Sequence, residues 1–331
     1  MMTSRNKGLK MFTFALLFII TITSFLLNYT NNVVSTSWDP KQMVRQFSEQ
    51  MKKLLNYPRQ PCSCDTCILD KGSAWFEERF NITMQPFLTK QNAFLPQEKY
   101  RWWLKLQGER SPKTMNETVQ ELFRFIPGDW DHFLDRRNSG NLRQSQYGQE
   151  INAHDLVFRM NKAPTKGFES DVGSKTTHHF LYPESYRELE ETVSIILIPF
   201  KILDLRWMIS ALTNGTINHT YVPVPRKIKA NKDKIMIYHP SFIKYVYNNW
   251  LQNHGRYPST GFLSIIFALH LCDEVDLYGF GADSKGNWHH YWENNPSAGA
   301  FRKTGVHDGD FEANVTQNLT SAGKIRFFRG R

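Results

Sequence analysis

The chain has 331 residues, of which 40% are apolar and 22% charged. That is enough to bury the core of one large domain or two small ones, and it excludes a disordered or fibrous protein. The formal charge of +10 admits nucleic acid, an anionic membrane or an acidic small molecule as a partner, but the basic residues are scattered and no nucleic-acid motif is present, which argues against nucleic acid.

Arg5, Lys7 and Lys10 precede an apolar run over 11–27 that is broken only by Thr and Ser. Its length lies at the short end of a membrane span, and no small-x-small cleavage site follows it. Positive charge before the run and a long polar chain after it predict a cytosolic N-terminus and a luminal body. The expectation is a cytosolic tail over 1–10, a transmembrane signal-anchor over 11–28 and a luminal remainder, in the thinner membranes of the secretory pathway. Asn-x-Ser/Thr occurs at Asn28, Asn81, Asn116, Asn214, Asn218, Asn314 and Asn318. Asn28 lies too near the bilayer, and the other six are N-glycosylation candidates. In an oxidising lumen Cys62, Cys64, Cys67 and Cys272 are disulfide candidates that two bridges could join in three ways.

Residues 29–60 are polar and read as a stem, and Pro58 and Pro61 mark the edge of a folded domain over 61–331. Segments 98–107 and 117–125 have amphipathic helical spacing. Beyond them, short β-branched or aromatic runs at 156–160, 178–182, 193–199, 221–224, 235–238, 275–280 and 325–328 alternate with helical segments at 202–212, 241–252 and 259–272. Alternation of this kind predicts an α/β fold, a mostly parallel sheet with helices on its faces. Residues 261–271 are nearly all apolar but too few to cross a bilayer, so they read as a buried helix.

Four segments could carry chemistry. Asn138, Ser139, Gly140 and Asn141 make a tight turn with amides to offer, and Asn161 sits at the C-terminal edge of the following strand, where α/β sheets bind ligands. Ser259, Thr260 and Gly261, after Tyr257, begin the apolar helix; free N–H groups and small hydroxyls there suit a phosphate, although capping alone would explain them. Gly279 and Gly281 close an apolar strand, where a flat group could lie against the backbone or a plain turn could form. The densest segment, read as loop-rich, gathers His289, His290, Glu293, His307, Asp308, Asp310 and Glu312 around Trp288 and Trp292. Two histidines could divide base and acid roles, and Asp308 with Asp310 could instead hold a divalent ion.

In this order the four segments resemble the sialylmotifs of the animal sialyltransferase family. Asn138 opens the large motif, Ser259 the small one, Trp288 the third and His307 the very short one; Ser73, Ala74, Trp75 and Phe76 and Tyr100, Arg101, Trp102 and Trp103 extend the likeness. Within the family, the likeness is to the beta-galactoside α2,3 branch acting on Galβ1-3GalNAc of O-glycans or glycolipids. The resemblance implies a single Rossmann-like, GT-A-like sheet, CMP-sialic acid as donor, inversion, no cofactor or metal, and a Golgi membrane location. It implies His307 as the general base and His290 as the partner of the departing phosphate. Asn138, Asn161, Ser259, Thr260, Gly261, Gly279 and Gly281 would bind the donor, and Tyr221, Tyr257 and Gln107 the phosphate or galactose. CMP leaves as a less charged group than a nucleoside diphosphate, so a protonated histidine and a helix N-terminus can replace a metal ion.

The chain departs from the family just before Asn138. Leu134, Asp135, Arg136 and Arg137 run straight into the motif, where the family has a Cys-bearing strand; roughly ten residues, the central strand of the sheet, are absent. The family partner of Cys272 goes with them, which leaves Cys62 to pair with Cys272 if Cys64 joins Cys67. That departure keeps a second reading open, a shortened relative that is misfolded or catalytically inactive.

Overall fold

Four short parallel strands carry the core. They are β1 (Phe158–Met160), β2 (His178–Leu181), β3 (Ser194–Leu197) and β4 (Ile235–Ile237), in the order β1-β2-β3-β4. Phe158 faces His178, Ile195 follows His179 in register, and Ile235 meets Ile195. This is a computed structural model, in which residues 67–106, 108, 114–128, 144–280, 291–292 and 305–328 are described, all within a unit spanning Cys64–Arg331.

The strands are largely buried on both faces, as strands of a parallel sheet with covered faces must be. Helices at Ala74–Glu77 (α1), Gln97–Lys105 (α2), Met115–Leu122 (α3), Gly148–Ala153 (α4), Glu169–Val172 (α5), Ile202–Leu212 (α6), Pro240–Tyr245 (α7), Thr260–Leu271 (α8) and Gly309–Ser321 (α9) complete the described elements with strands β5 (Asp276–Tyr278) and β6 (Arg326–Phe328). Helix α8 is the buried helix expected at 261–271. Phe267 meets Phe158 at 5.9 Å and Phe180 at 5.0 Å between ring centroids, both edge-on, and the Tyr238 hydroxyl donates to the Leu263 carbonyl at 3.1 Å. Each such fully buried ring contributes about 1.5–3 kcal/mol.

Several expectations needed correcting. The single sheet is resolved as two among the described residues: β5 pairs with β6 in parallel, apart from the four-stranded sheet. Side chains tie β5 to the approach to β1, since the Tyr278 hydroxyl donates to Glu150 at 2.8 Å and lies 3.1 Å from His154 Nε2. Residues 221–224 are loop rather than strand, because Pro223 and Pro225 remove ladder donors; only an isolated bridge, His219 to Pro223, forms there. Helix α3 begins earlier than its apolar spacing indicates because Thr114 and Glu117 form a reciprocal capping box. The stretch read as loop-rich turns helical at Gly309, where Asp308 caps α9.

The cysteines differ too. Cys67 is disulfide-bonded. Cys272 is a buried thiol at the end of α8, outside any disulfide, so the Cys62–Cys272 bridge is not made. Among the described residues no helix is long and apolar enough to cross a membrane. The anchor at 11–28, the stem, Cys62, Cys64, Gln107, Asn138, Gly281 and His290 lie outside the described residues. Asn81, Asn116, Asn214, Asn218, Asn314 and Asn318 are all exposed.

Candidate active site

The site grows from two chain segments that are stitched together. Arg256 and Tyr257 both donate their backbone N–H to the Val306 carbonyl, at 2.8 and 3.3 Å. Gly255 makes the approach possible: at φ +71° it takes a left-handed conformation, and a Cβ there would stand 2.9 Å from the Asp308 nitrogen. The stitching sets His307 beside Tyr257.

His307 Nδ1 lies 2.8 Å from the Tyr257 carbonyl oxygen. A carbonyl only accepts, so Nδ1 carries the proton and the lone pair of the neutral ring is on Nε2. Burial pushes the His307 pKa below its ordinary value, against the opposing pull of that carbonyl. The ring also packs edge-on against Tyr257, 4.9 Å between centroids. A neutral imidazole with a fixed tautomer is what a general base needs at neutral pH.

Ser259 is the N-cap of α8 and does more than cap. Its Oγ accepts from Phe262 N at 3.1 Å, while its own N–H and hydroxyl donate to Glu312 at 2.8 and 2.5 Å. Glu312 sits in the first turn of α9 and is buried, and burial pushes its pKa up to about 7 against those two hydrogen bonds. Glu312 therefore binds the start of α8 to the helix that follows His307. With Ser259 N and Phe262 N engaged, Thr260 and Gly261 supply the remaining N–H donors of the first turn, at the positive end of the helix dipole. Gly261 lies close to the end of β5: a Cβ on it would be 3.0 Å from the Phe280 ring. Gly279, at φ +66°, donates its N–H to Phe328 at 2.6 Å, so the β5 glycine serves a tight turn beside the α8 N-terminus.

Asn161 leaves β1 in a left-handed conformation, φ +55°. Its N–H donates to Phe180 and its carbonyl accepts from His179 Nε2 at 2.6 Å, which hold the residue in place. Its side-chain Oδ1 is buried without a hydrogen-bond partner, an acceptor that a ligand hydroxyl or amine would satisfy. Met160 touches Ser264 of α8 at 4.0 Å, so Asn161 belongs to the same edge as Ser259. Tyr291, next in sequence to His290, donates its hydroxyl to the Pro164 carbonyl and packs edge-on against Phe168 at 5.4 Å.

Tyr221 stands over the C-terminal edge of the sheet, its ring 4.5 Å from the Lys201 ammonium. Phe200 bridges Tyr182 and Tyr257, with centroids 6.0 and 5.1 Å away. The structure thus brings Asn161, Tyr221, Tyr257, Ser259, Thr260, Gly261, Gly279 and His307 to one edge of the fold. Sequence reasoning missed Glu312 as a tie and Lys201, Glu184 and Asp204 altogether. The spacing of Lys201 to Asp204, three residues at the start of an apolar helix, was the available signal.

The metal alternative finds little here. Asp308 commits one oxygen to Phe311 N at 3.0 Å and the other to His254 at 3.1 Å, as a helix cap does. Among the described residues no group of three or more His, Cys, Asp or Glu is placed to hold a metal ion.

A parallel α/β fold with a neutral histidine and a helix N-terminus at one edge suits a group-transfer enzyme for an anionic donor. The glycosyltransferase family 29 (sialyltransferase) profile matches residues 87–324, and the chain belongs to that family. It is similar to CMP-N-acetylneuraminate-beta-galactosamide-alpha-2,3-sialyltransferase 1 of Gallus gallus, 68% identical, and of Homo sapiens, 63% identical, each with 100% of both chains covered. Both alignments run over 343 positions against the 331 residues here, in keeping with a short stretch absent from this chain. A crystal structure of a mammalian sialyltransferase in complex with Gal-beta-1-3GalNAc-ortho-nitrophenol superimposes with a TM-score of 0.76 at 60% identity, covering 82% of this chain and 100% of that one.

Proposed function

We propose that this chain transfers sialic acid from CMP-sialic acid to the galactose 3-hydroxyl of Galβ1-3GalNAc, on O-glycans or glycolipids. The observation that carries the reading is His307, held as a neutral base by the Tyr257 carbonyl beside the N-terminus of α8.

The chemistry follows from that placement. His307 Nε2 takes the proton from the galactose 3-hydroxyl as its oxygen bonds to the anomeric carbon. The bond from that carbon to the CMP phosphate oxygen breaks, and the electron pair leaves with CMP. Attack from the face opposite the leaving group inverts the centre. Charge building on the phosphate is met by the Thr260 and Gly261 N–H groups and by the dipole of a helix 12 residues long. His290 is the expected further cation there, and Gln107, Asn138 and Gly281 further contacts, by likeness to the family. Asn161, through its buried Oδ1, receives a donor hydroxyl or amine of the nucleotide.

No metal or cofactor enters these steps. Support comes from the leaving group, CMP, a phosphomonoester less charged than a nucleoside diphosphate, and from Asp308, which serves as a helix cap. Incubating the purified chain with CMP-sialic acid and Galβ1-3GalNAc should give the α2,3-linked product at a rate that EDTA leaves unchanged. Absence of product from folded protein would overturn the function, and loss of product with EDTA would overturn the metal-free mechanism. End-to-end coverage of the relatives argues against the reading as an inactive shortened relative.

The chain acts, in this reading, as a single-pass type II protein of the Golgi membrane with its catalytic domain in the lumen. The basic residues before the apolar run at 11–27 and the exposure of all six candidate asparagines support it. Peptide N-glycosidase should lower the apparent mass of the cell-derived protein, and an unchanged mass would count against a luminal body.

A further inference from the structure

The C-terminal edge of β2 and β3 hides a cluster of charge that the proposed chemistry does not use. Lys201, the residue before α6, is only 4% exposed, yet it carries a cation. Its ammonium lies 2.7 Å from Asp204 Oδ1 and 3.0 Å from Glu184 Oε1. Burial opposes the charge, and the two carboxylates outweigh it, holding the lysine pKa above its ordinary value. A buried cation between the buried Asp204 and the half-buried Glu184 is costly to assemble, and truncating one partner leaves the others uncompensated.

The cluster reaches outward in one direction. Glu184 Oε1 also accepts from the Thr220 hydroxyl, and Thr220 precedes Tyr221, whose ring sits 4.5 Å above the Lys201 ammonium. Tyr221 is 55% exposed and its neighbour Val222 48%. The loop is pinned at its ends by Val224 N–H on the Asn218 carbonyl and Trp207 Nε1 on the Pro225 carbonyl, and at its tip the cation–π contact and the Glu184 to Thr220 bond tie Tyr221 and its neighbour to one buried lysine. Asp204 meanwhile accepts from Phe200 N at 2.8 Å and Lys201 N at 3.2 Å, locking the turn that also carries the Phe200 ring against Tyr257.

We propose that Lys201 is a positioning residue, which through Glu184, Thr220 and its cation–π contact holds the Tyr221 loop against the donor. This rests on the proposed function and, within it, on placing Tyr221 at the donor phosphate, one of the two contacts, phosphate or galactose, that the likeness to the family implies. Nothing in the cluster touches the reacting atoms, so its loss should weaken donor binding and leave the chemical step nearly unchanged.

Steady-state kinetics with CMP-sialic acid varied at saturating acceptor test this in K201M, K201R, T220V, Y221A and the K201M/Y221A double variant. K201M and T220V should raise the donor KM about tenfold with kcat changed less than about threefold, and K201R should recover part of the loss. Adding K201M to Y221A should change little further, since both act through one ring. An unchanged donor KM, a fall confined to kcat, or independent effects in the double variant would overturn the proposal. T220V keeps the test decisive if K201M does not fold, because it cuts the link to Glu184 and leaves the buried charges paired. CMP affinity measured by calorimetry separates the two readings. Wild-type protein that transfers no sialic acid yet loses CMP affinity in T220V would defeat the proposed function and keep this assignment; unchanged CMP affinity would defeat the assignment alone.

Discussion

Replacing His307 with Ala should lower kcat by about a thousandfold, within the range a positioned general base contributes, and leave the thermal transition nearly unchanged. The ring hydrogen-bonds the Tyr257 carbonyl and packs edge-on against the Tyr257 ring. Losing both costs little stability, whereas losing Nε2 removes the acceptor for the galactose proton. The donor KM should hardly move, because the donor is held by α8 and Asn161.

The pH profile gives a second reading of the same group. Burial depresses the His307 pKa below its ordinary value, so the base form persists to lower pH. In wild type, the acid limb of kcat/KM should lie at a pKa below the usual histidine range near 6.5, while a fall at higher pH belongs to the His290 cation expected at the phosphate. The residual activity of H307A should lack that limb. An activity loss below tenfold, or a limb that survives the substitution, would remove His307 from the base role. The linkage has the same sign: a histidine depressed on folding contributes stability above the unfolded pKa, lost as pH falls through the folded one.

Arg159→Met should be the most destabilising substitution on β1. The guanidinium is 4% exposed, and burial lowers its pKa to about 10, so it stays charged at neutral pH. Nη2 donates to the Val172, Gly173 and Lys175 carbonyls at 2.6, 3.2 and 2.9 Å, and Nε to Thr176 Oγ1 at 3.0 Å. One planar fork thus closes the turn from α5 to β2. Methionine fills similar space but strands those carbonyls, at a cost of about 3–5 kcal/mol. For a unit of this size that is a fall in Tm of about 10 °C, readable by calorimetry. Lysine should not rescue it, since a single ammonium cannot span the same carbonyls. A fall below about 3 °C would mean that the turn holds itself.

Much of this was legible beforehand. The helix at 202–212 and the apolar one at 261–271 were visible because length and composition, not long-range contacts, decide them. The strands of the core were visible as short apolar runs, aromatic in β1 and β2 and rich in Ile in β3 and β4, and Ser259 as a cap. The strand expected at 221–224 failed where prolines outweighed β-branched content. Helix α9 was hidden because Gly309 and a string of polar residues weaken its periodicity, and its start depends on the Asp308 cap and on Glu312 reaching Ser259. The buried charge of Lys201, Glu184 and Asp204 carried no period at all.

Local chemistry along the chain was sufficient for the class of the fold and the family, and it singled out His307 as the candidate base, because motif residues and hydrophobic period are properties of neighbours in sequence. Tertiary structure alone decided which nitrogen of His307 keeps the lone pair, that Glu312 joins the two helices of the site, and that Cys272 stays a thiol. It also decided that, among the described residues, the strands form two sheets and that Tyr221 rests on a buried lysine. Each of these depends on atoms far apart in the chain meeting within a few ångströms in a medium of low dielectric, where a single carbonyl or carboxylate settles protonation and position.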